Sequence, residues 1–122
     1  SIQTQMVEQE YLIQALTDLG YAYETGNVQI RGFAGIRKNA QIKIPTQNPS
    51  YDIGFQKVDN SYQIVADWWG IRGIKQQQFQ DQLTQRYAYH ATKAKLYSQG
   101  FSLISEDVEQ GQRLHLVLRR AA

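Results

Sequence analysis

The chain has 122 residues, with 13 lysines and arginines against 11 aspartates and glutamates, and no cysteine. That length makes one domain, residues 1–122, with one hydrophobic core, and the missing thiols exclude disulfides, thiolate zinc sites and iron–sulfur ligation. A formal net charge of +2 does not mark a nucleic-acid binder unless the cations cluster, no apolar run approaches the ~18 residues that cross a bilayer, and no charged segment leading into an apolar stretch marks a secretory signal.

At the start, Ile2, Thr4 and Met6 alternate with Gln3 and Gln5, which predicts a strand over residues 1–7. Glu8 to Leu19 reads as a short helix, with Leu12, Ala15, Leu16 and Leu19 on one stripe, acids in its first turn and Gly20 closing it. Tyr21 to Glu24 begins a strand, Thr25-Gly26-Asn27 is a turn signal and Val28 to Arg31 is the returning strand. A Gly-containing basic loop follows, Gly32 to Asn39. Ala40 to Ile44 alternates with Ile42 and Ile44 inward, and Pro45 and Pro49 end that strand.

Tyr51 to Val58 sets Tyr51, Ile53 and Phe55 against Asp52, Gly54 and Gln56. After the turn Asp59-Asn60-Ser61, Tyr62 to Trp68 completes a hairpin. The longest uninterrupted period begins at Gln76. Phe79, Leu83, Tyr87, His90, Ala94 and Tyr97 fall on one helical stripe, with Tyr89 and Leu96 on its flank, and Gly100 stops the helix. Phe101 to Ser105 and Arg113 to Arg119 read as a last hairpin around Glu109-Gln110-Gly111, with Leu114, Leu116 and Leu118 inward and Ala121 and Ala122 fraying.

Two helices cannot cover both faces of such a sheet. The expected fold is α+β, a two-layer sandwich of a twisted, mainly antiparallel sheet with both helices on one face. Leu16…Leu19-Gly20-Tyr21 is echoed by Leu96…Gln99-Gly100-Phe101, each followed by a hairpin. A duplicated β-α-β-β unit would give that echo, and so would any helix–Gly–strand junction.

The loop Arg31-Gly32-Phe33-Ala34-Gly35-Ile36-Arg37-Lys38 combines glycines, which let backbone amides approach an anion, with three cations. It lacks the Gly-Lys-Ser/Thr ending of a phosphate loop, and a plain solvated hairpin loop accounts for the same residues. In Asp67-Trp68-Trp69-Gly70-Ile71-Arg72-Gly73, adjacent tryptophans on a strand point to opposite faces, one to the core and one outward. An exposed Trp beside Arg72 suits a protein contact or a stacked base; a purely structural role is the plainer reading. The sheet face away from the helices would carry Gln29, Arg31, Gln41, Lys43, Gln56, Gln63, Arg113, His115 and Arg119, a polar surface for solvent or a partner.

Tyr87 and His90 share the central stripe, where an imidazole serves as a base, a ligand or a hydrogen-bonded core residue. Asp18, Asp52, Asp59, Asp67, Asp81, Glu106 and Asp107 have no paired spacing of the glycosidase or two-metal kind. The two histidines form no ligand motif, and no serine sits in a nucleophile elbow. No catalytic residue, metal ligand or cofactor is therefore assigned.

The run Gln85-Arg86-Tyr87-Ala88-Tyr89-His90-Ala91-Thr92-Lys93, with Gln99-Gly100-Phe101, the closing Leu116-Val117-Leu118-Arg119-Arg120 and the opening Ile2-Gln3-Thr4-Gln5, resembles the hypothetical chloroplast reading frame family number thirty-five. The resemblance spans nearly the whole chain, and Tyr-Ala-Tyr-His is its most specific part. Family members begin with a few more residues, among them a His-Phe pair. The resemblance implies a protein of the cyanobacterial cytoplasm or plastid stroma in a photosynthetic cell, and it transfers no reaction.

The residues and the resemblance together suggest a non-enzymatic accessory protein without a transmembrane segment. It would dock on a larger protein complex through Trp68, Trp69, Arg72, Arg37 and Lys38. A nucleic-acid binder using the sheet face and basic loops is the alternative. A small-molecule pocket near Tyr87 and His90 is the third reading.

Overall fold

Alternating apolar residues build a five-stranded antiparallel sheet, and two amphipathic helices lie on one of its faces. The computed structural model describes residues 1–35, 37–108 and 114–120, and of residues 103–108, 114–116 and 118 the backbone alone. The elements are β1 (Ile2–Gln3), α1 (Gln9–Asp18), β2 (Glu24–Ile30), β3 (Lys38–Pro45), β4 (Asp52–Val58), β5 (Ser61–Val65), α2 (Gln76–Ser98), β6 (Phe101–Val108) and β7 (Leu114–Arg120). The strand order is β1-β5-β4-β3-β2. The fold is the expected α+β two-layer sandwich.

The core follows from the periods. Ile42 and Ile44 of β3, Ile53 and Phe55 of β4, and Tyr62 and Ile64 of β5 point to the helical side. Leu12, Ala15 and Leu16 of α1 and Phe79 and Leu83 of α2 meet them, all but removed from water. Each of the leucines, isoleucines and phenylalanines among them contributes ~1.5–3 kcal/mol on burial. α2 has 23 residues and α1 only 10, about 35 Å against 15 Å. The last turns of α2 therefore outrun their cover. Tyr97, expected in the core stripe, is half exposed, while Tyr89 on the flank is buried.

Several boundaries differ from the expectation. Thr25-Gly26-Asn27 does not turn the chain: β2 runs straight through it, with a bulge between Thr25 and Val28 against β3. The positive φ of Gly26 serves that bulge instead. The first strand is shorter than residues 1–7. Backbone bonds to Tyr62 continue from Thr4 and Met6, but the Thr4 hydroxyl also bonds the Tyr62 carbonyl and accepts the Met6 N–H, which interrupts the regular ladder. β5 stops at Val65, before Trp68, because Asp67 to Gly70 forms a turn in which the Gly70 N–H donates to the Asp67 carbonyl at 3.0 Å.

The face away from the helices is only in part the open polar surface expected: Lys43, Gln56 and Gln63 lie on it and keep some exposure. Ile30, Ala40 and Val65 are buried together there, with Val28 and Phe33 against them. Gly54 makes this closure fit, since a Cβ at that position would lie 2.8 Å from the Ile30 side chain. Lys43 pairs with Glu24 at 3.3 Å, and Arg31 pairs with Asp52. β6 and β7 form their own two-stranded sheet, placing His115 and Arg119 off the main one. Among the described residues, the five-stranded order and the separate β6–β7 pair do not combine into one pseudo-twofold sheet of two β-α-β-β halves. The expected turn at Glu109-Gln110-Gly111, Arg113 and the expected fraying at Ala121 and Ala122 lie outside the described residues. So do the side-chain directions of Leu114, Leu116 and Leu118.

Candidate interaction cleft

Three connections meet at one end of the main sheet, and an interlocked set of bonds holds them. Asp52, the first residue of β4, is completely buried. Its Oδ2 accepts the Arg31 backbone N–H at 2.7 Å and Nε at 3.0 Å, and its Oδ1 accepts Nη2 at 2.8 Å. Burial pushes the Asp52 carboxyl up, but the Arg31 hydrogen bonds and the charges of Arg31 and Lys43 outweigh it. The result lies below the usual carboxylate value. Arg31 is thereby committed to the fold rather than left for an anion, correcting its place among the loop's available cations.

Beyond Arg31 the β2–β3 loop passes through four successive residues with positive φ: Gly32 at 127°, Phe33 at 55°, Ala34 at 56° and Gly35 at 85°. For Phe33 and Ala34 this conformation costs ~1–3 kcal/mol each, and it persists because the surroundings fix it. The Asn48 side-chain amide reaches across to the Gly70 carbonyl at 3.0 Å. The Tyr51 ring lies against two glycines. A Cβ on Gly70 would lie 2.2 Å from that ring and one on Gly32 3.3 Å from it. Around this core is a cleft of about 290 Å³, lined by Arg31, Gly32, Gly35, Arg37, Ser50 and Tyr51 among others.

At its rim stands Trp69, 88% exposed, its ring centroid 6.4 Å from that of Tyr51. Trp68, by contrast, is half-buried and packs on Phe79 at 6.1 Å. Arg37, Lys38 and Arg72 are exposed, and the Lys38 ammonium lies 4.2 Å above the Phe33 ring. Tyr51 thus links the two segments, lining the cleft with Arg37 and standing beside Trp69, while Trp68 turns inward. Tyr51 went unrecognised as a component; its alternation with Ile53 and Phe55 gave only a core signal.

Tyr87 and His90 lie elsewhere, between the helices. The Tyr87 hydroxyl accepts the backbone N–H groups of Val7 and Glu8, both at 2.9 Å, at the start of α1. His90 Nε2 lies 2.6 Å from Asp18 Oδ2 at the end of α1, beside Arg86 Nη2 at 2.7 Å. An ionised carboxylate only accepts, so Nε2 carries the hydrogen. A shallow hollow of about 220 Å³ adjoins His90, walled by Tyr11, Gln14, Lys93 and Tyr97. A larger groove of about 450 Å³ runs between residues 3–6 and α2, past Gln80, Thr84, Ala88 and Thr92. Among the described residues no three His, Asp or Glu side chains gather closely enough to share a metal ion. Nor, among them, is any helix long and apolar enough to cross a membrane.

Fold and site together define a small α+β domain with a basic, aromatic cleft at one end of its sheet. The chain belongs to the family of proteins of unknown function designated DUF1257, whose model matches residues 15–117. It is 33% identical over 125 residues to the uncharacterized protein ycf35 of Guillardia theta. It is 30% identical over 121 residues to that of Cyanophora paradoxa and 30% over 125 residues to that of Pyropia yezoensis. Each alignment covers 98% of this chain and 93% of the relative. No solved structure matches the chain.

Proposed function

We propose that this chain is a non-enzymatic accessory protein of the cyanobacterial cytoplasm or plastid stroma, one that docks on a larger protein assembly through the Trp69 cleft. The observation that carries the reading is the exposure of Trp69 on a turn fixed from beneath. Burying such a ring removes roughly 150–250 Å² from water, on the order of 4–6 kcal/mol at ~25 cal/mol per Å². Association costs then reduce that figure. Arg37 and Arg72 add the residue type that, with Trp, is enriched at contact hot spots. The link to photosynthetic machinery rests on the family resemblance.

The test is affinity capture from cyanobacterial extract with wild-type and Trp69→Ala baits, both checked for native circular dichroism. Loss of a defined set of proteins from the Trp69→Ala lane supports docking. Identical recoveries from both baits overturn it.

A further inference from the structure

We infer that the cleft receives an acidic segment of the partner protein, with one carboxylate side chain on Arg37 and the neighbouring apolar side chain on the Tyr51 and Trp69 rings. This rests on the docking reading and names the chemistry of what docks. Two cations line the cleft, and they differ. Arg31 is neutralised by Asp52 through three hydrogen bonds. Arg37 is exposed and, among the described residues, has no carboxylate within ion-pairing distance, nor have Lys38 and Arg72. Asp67 is the acidic side chain beside Gly32, and it forms no ion pair with Arg37, so Arg37 is the cation of the lining left for a partner's carboxylate. A guanidinium binds a carboxylate through two parallel N–H bonds, which fixes direction as well as charge.

The size fits a side chain or two rather than a whole cofactor: about 290 Å³ is at the small end of ligand sites. The wall is set in advance, because the Tyr51 ring packs so closely on Gly70 that a Cβ there would lie 2.2 Å from it; a preformed wall lowers the ordering cost of binding. A free small anion would leave the exposed Trp69 without a role. A nucleic acid would need a longer run of cations to follow its phosphates. The sheet face that could have held bases carries the buried Ile30, Ala40 and Val65 instead.

The experiment titrates the whole purified chain with short peptides in a Gly/Ser background, followed by tryptophan emission and amide chemical shifts. One carries Asp-Phe, one Asn-Phe and one Asp-Ala; single-stranded RNA and inorganic phosphate are run beside them. Asp-Phe is expected to bind at least about tenfold tighter than Asn-Phe or Asp-Ala. Arg37→Glu, a surface change that keeps the melting temperature, should abolish that preference and bind a Lys-Phe peptide instead. Equal binding of Asp-Phe and Asn-Phe, no binding of either, or RNA binding tighter than the peptide would overturn the inference. If Trp69→Ala loses the captured assembly while Arg37→Glu keeps it, docking stands and the acidic segment does not.

Discussion

Asp18 Oδ2 and His90 Nε2 lie 2.6 Å apart and join the end of α1 to the middle of α2. Asp18 is the last residue of α1, where a carboxylate opposes the helix dipole. Arg86 and His90 offset that disadvantage. The Tyr87 hydroxyl holds the other end of α1, so consecutive positions of α2 grip both ends of the shorter helix.

That grip has an acid limb. Burial raises the Asp18 carboxyl, but the hydrogen bonds and charges of Arg86 and His90 bring it below its ordinary value of 3.8. A folded value below the unfolded one contributes stability that is present above pH 3.8 and lost as the pH falls through the folded value. The pair is partly exposed, so solvent screening limits it to ~0.5–1 kcal/mol. Asp18→Asn should lower urea stability by that amount at pH 7. The gap to wild type should close as the pH falls through the lowered value of the folded carboxyl. A gap that persists at low pH would remove the charge from this account.

The Arg31–Asp52 pair behaves differently because its two ends are unequally buried. Asp52 is fully enclosed, whereas the Arg31 side chain is 38% exposed. Arg31→Met would strand a buried carboxylate, at ~3–5 kcal/mol near neutral pH. With its partner gone, burial would raise the Asp52 carboxyl above the unfolded value. Stability is then present at low pH and lost as the pH rises. Arg31→Met should therefore gain stability between pH 7 and pH 5, where wild type does not. Denaturant melts across that range read the sign directly.

These two arrangements mark what the sequence could reveal. The α2 stripe and the Ile53/Phe55 alternation were legible because each is a local period recurring over many residues. Gly26 was ambiguous because a positive φ serves a bulge as well as a turn. Asp52 was placed on a wet face by alternation alone; its burial depends on Arg31, 21 residues away, and on the Ile30–Ala40–Val65 closure over Gly54. The cleft is half legible: its cations and the exposed tryptophan stand out, but Tyr51, which lines the cleft with Arg37 and stands beside Trp69, is placed by its packing on Gly32 and Gly70, which no local pattern encodes.

The adjacent tryptophans should separate cleanly in stability. Trp69→Ala removes a ring already in water, so its unfolding free energy should stay within the range of a surface change, about ±0.5 kcal/mol. Trp68→Ala takes a half-buried ring from Phe79. The loss should be ~2–4 kcal/mol, below that of a fully buried Trp. Emission should divide the same way, with the red-shifted, quencher-accessible component vanishing in Trp69→Ala. Equal destabilisation by both changes would contradict the assignment of one ring to the core and one to the rim.

Gly70 tests how the cleft is held. A methyl group there would meet the Tyr51 ring at 2.2 Å, far inside contact distance. Gly70→Ala must displace Tyr51 or the 67–70 turn, at ~1–3 kcal/mol for overpacking of this kind. Shrinking the obstacle should restore much of the loss. Gly70→Ala with Tyr51→Ala is expected to be more stable than the two separate losses predict, with a coupling of ~1 kcal/mol or more in a double-mutant cycle. Strict additivity would mean that the ring does not rest on Gly70, and that Trp69 owes its fixed position to some other contact.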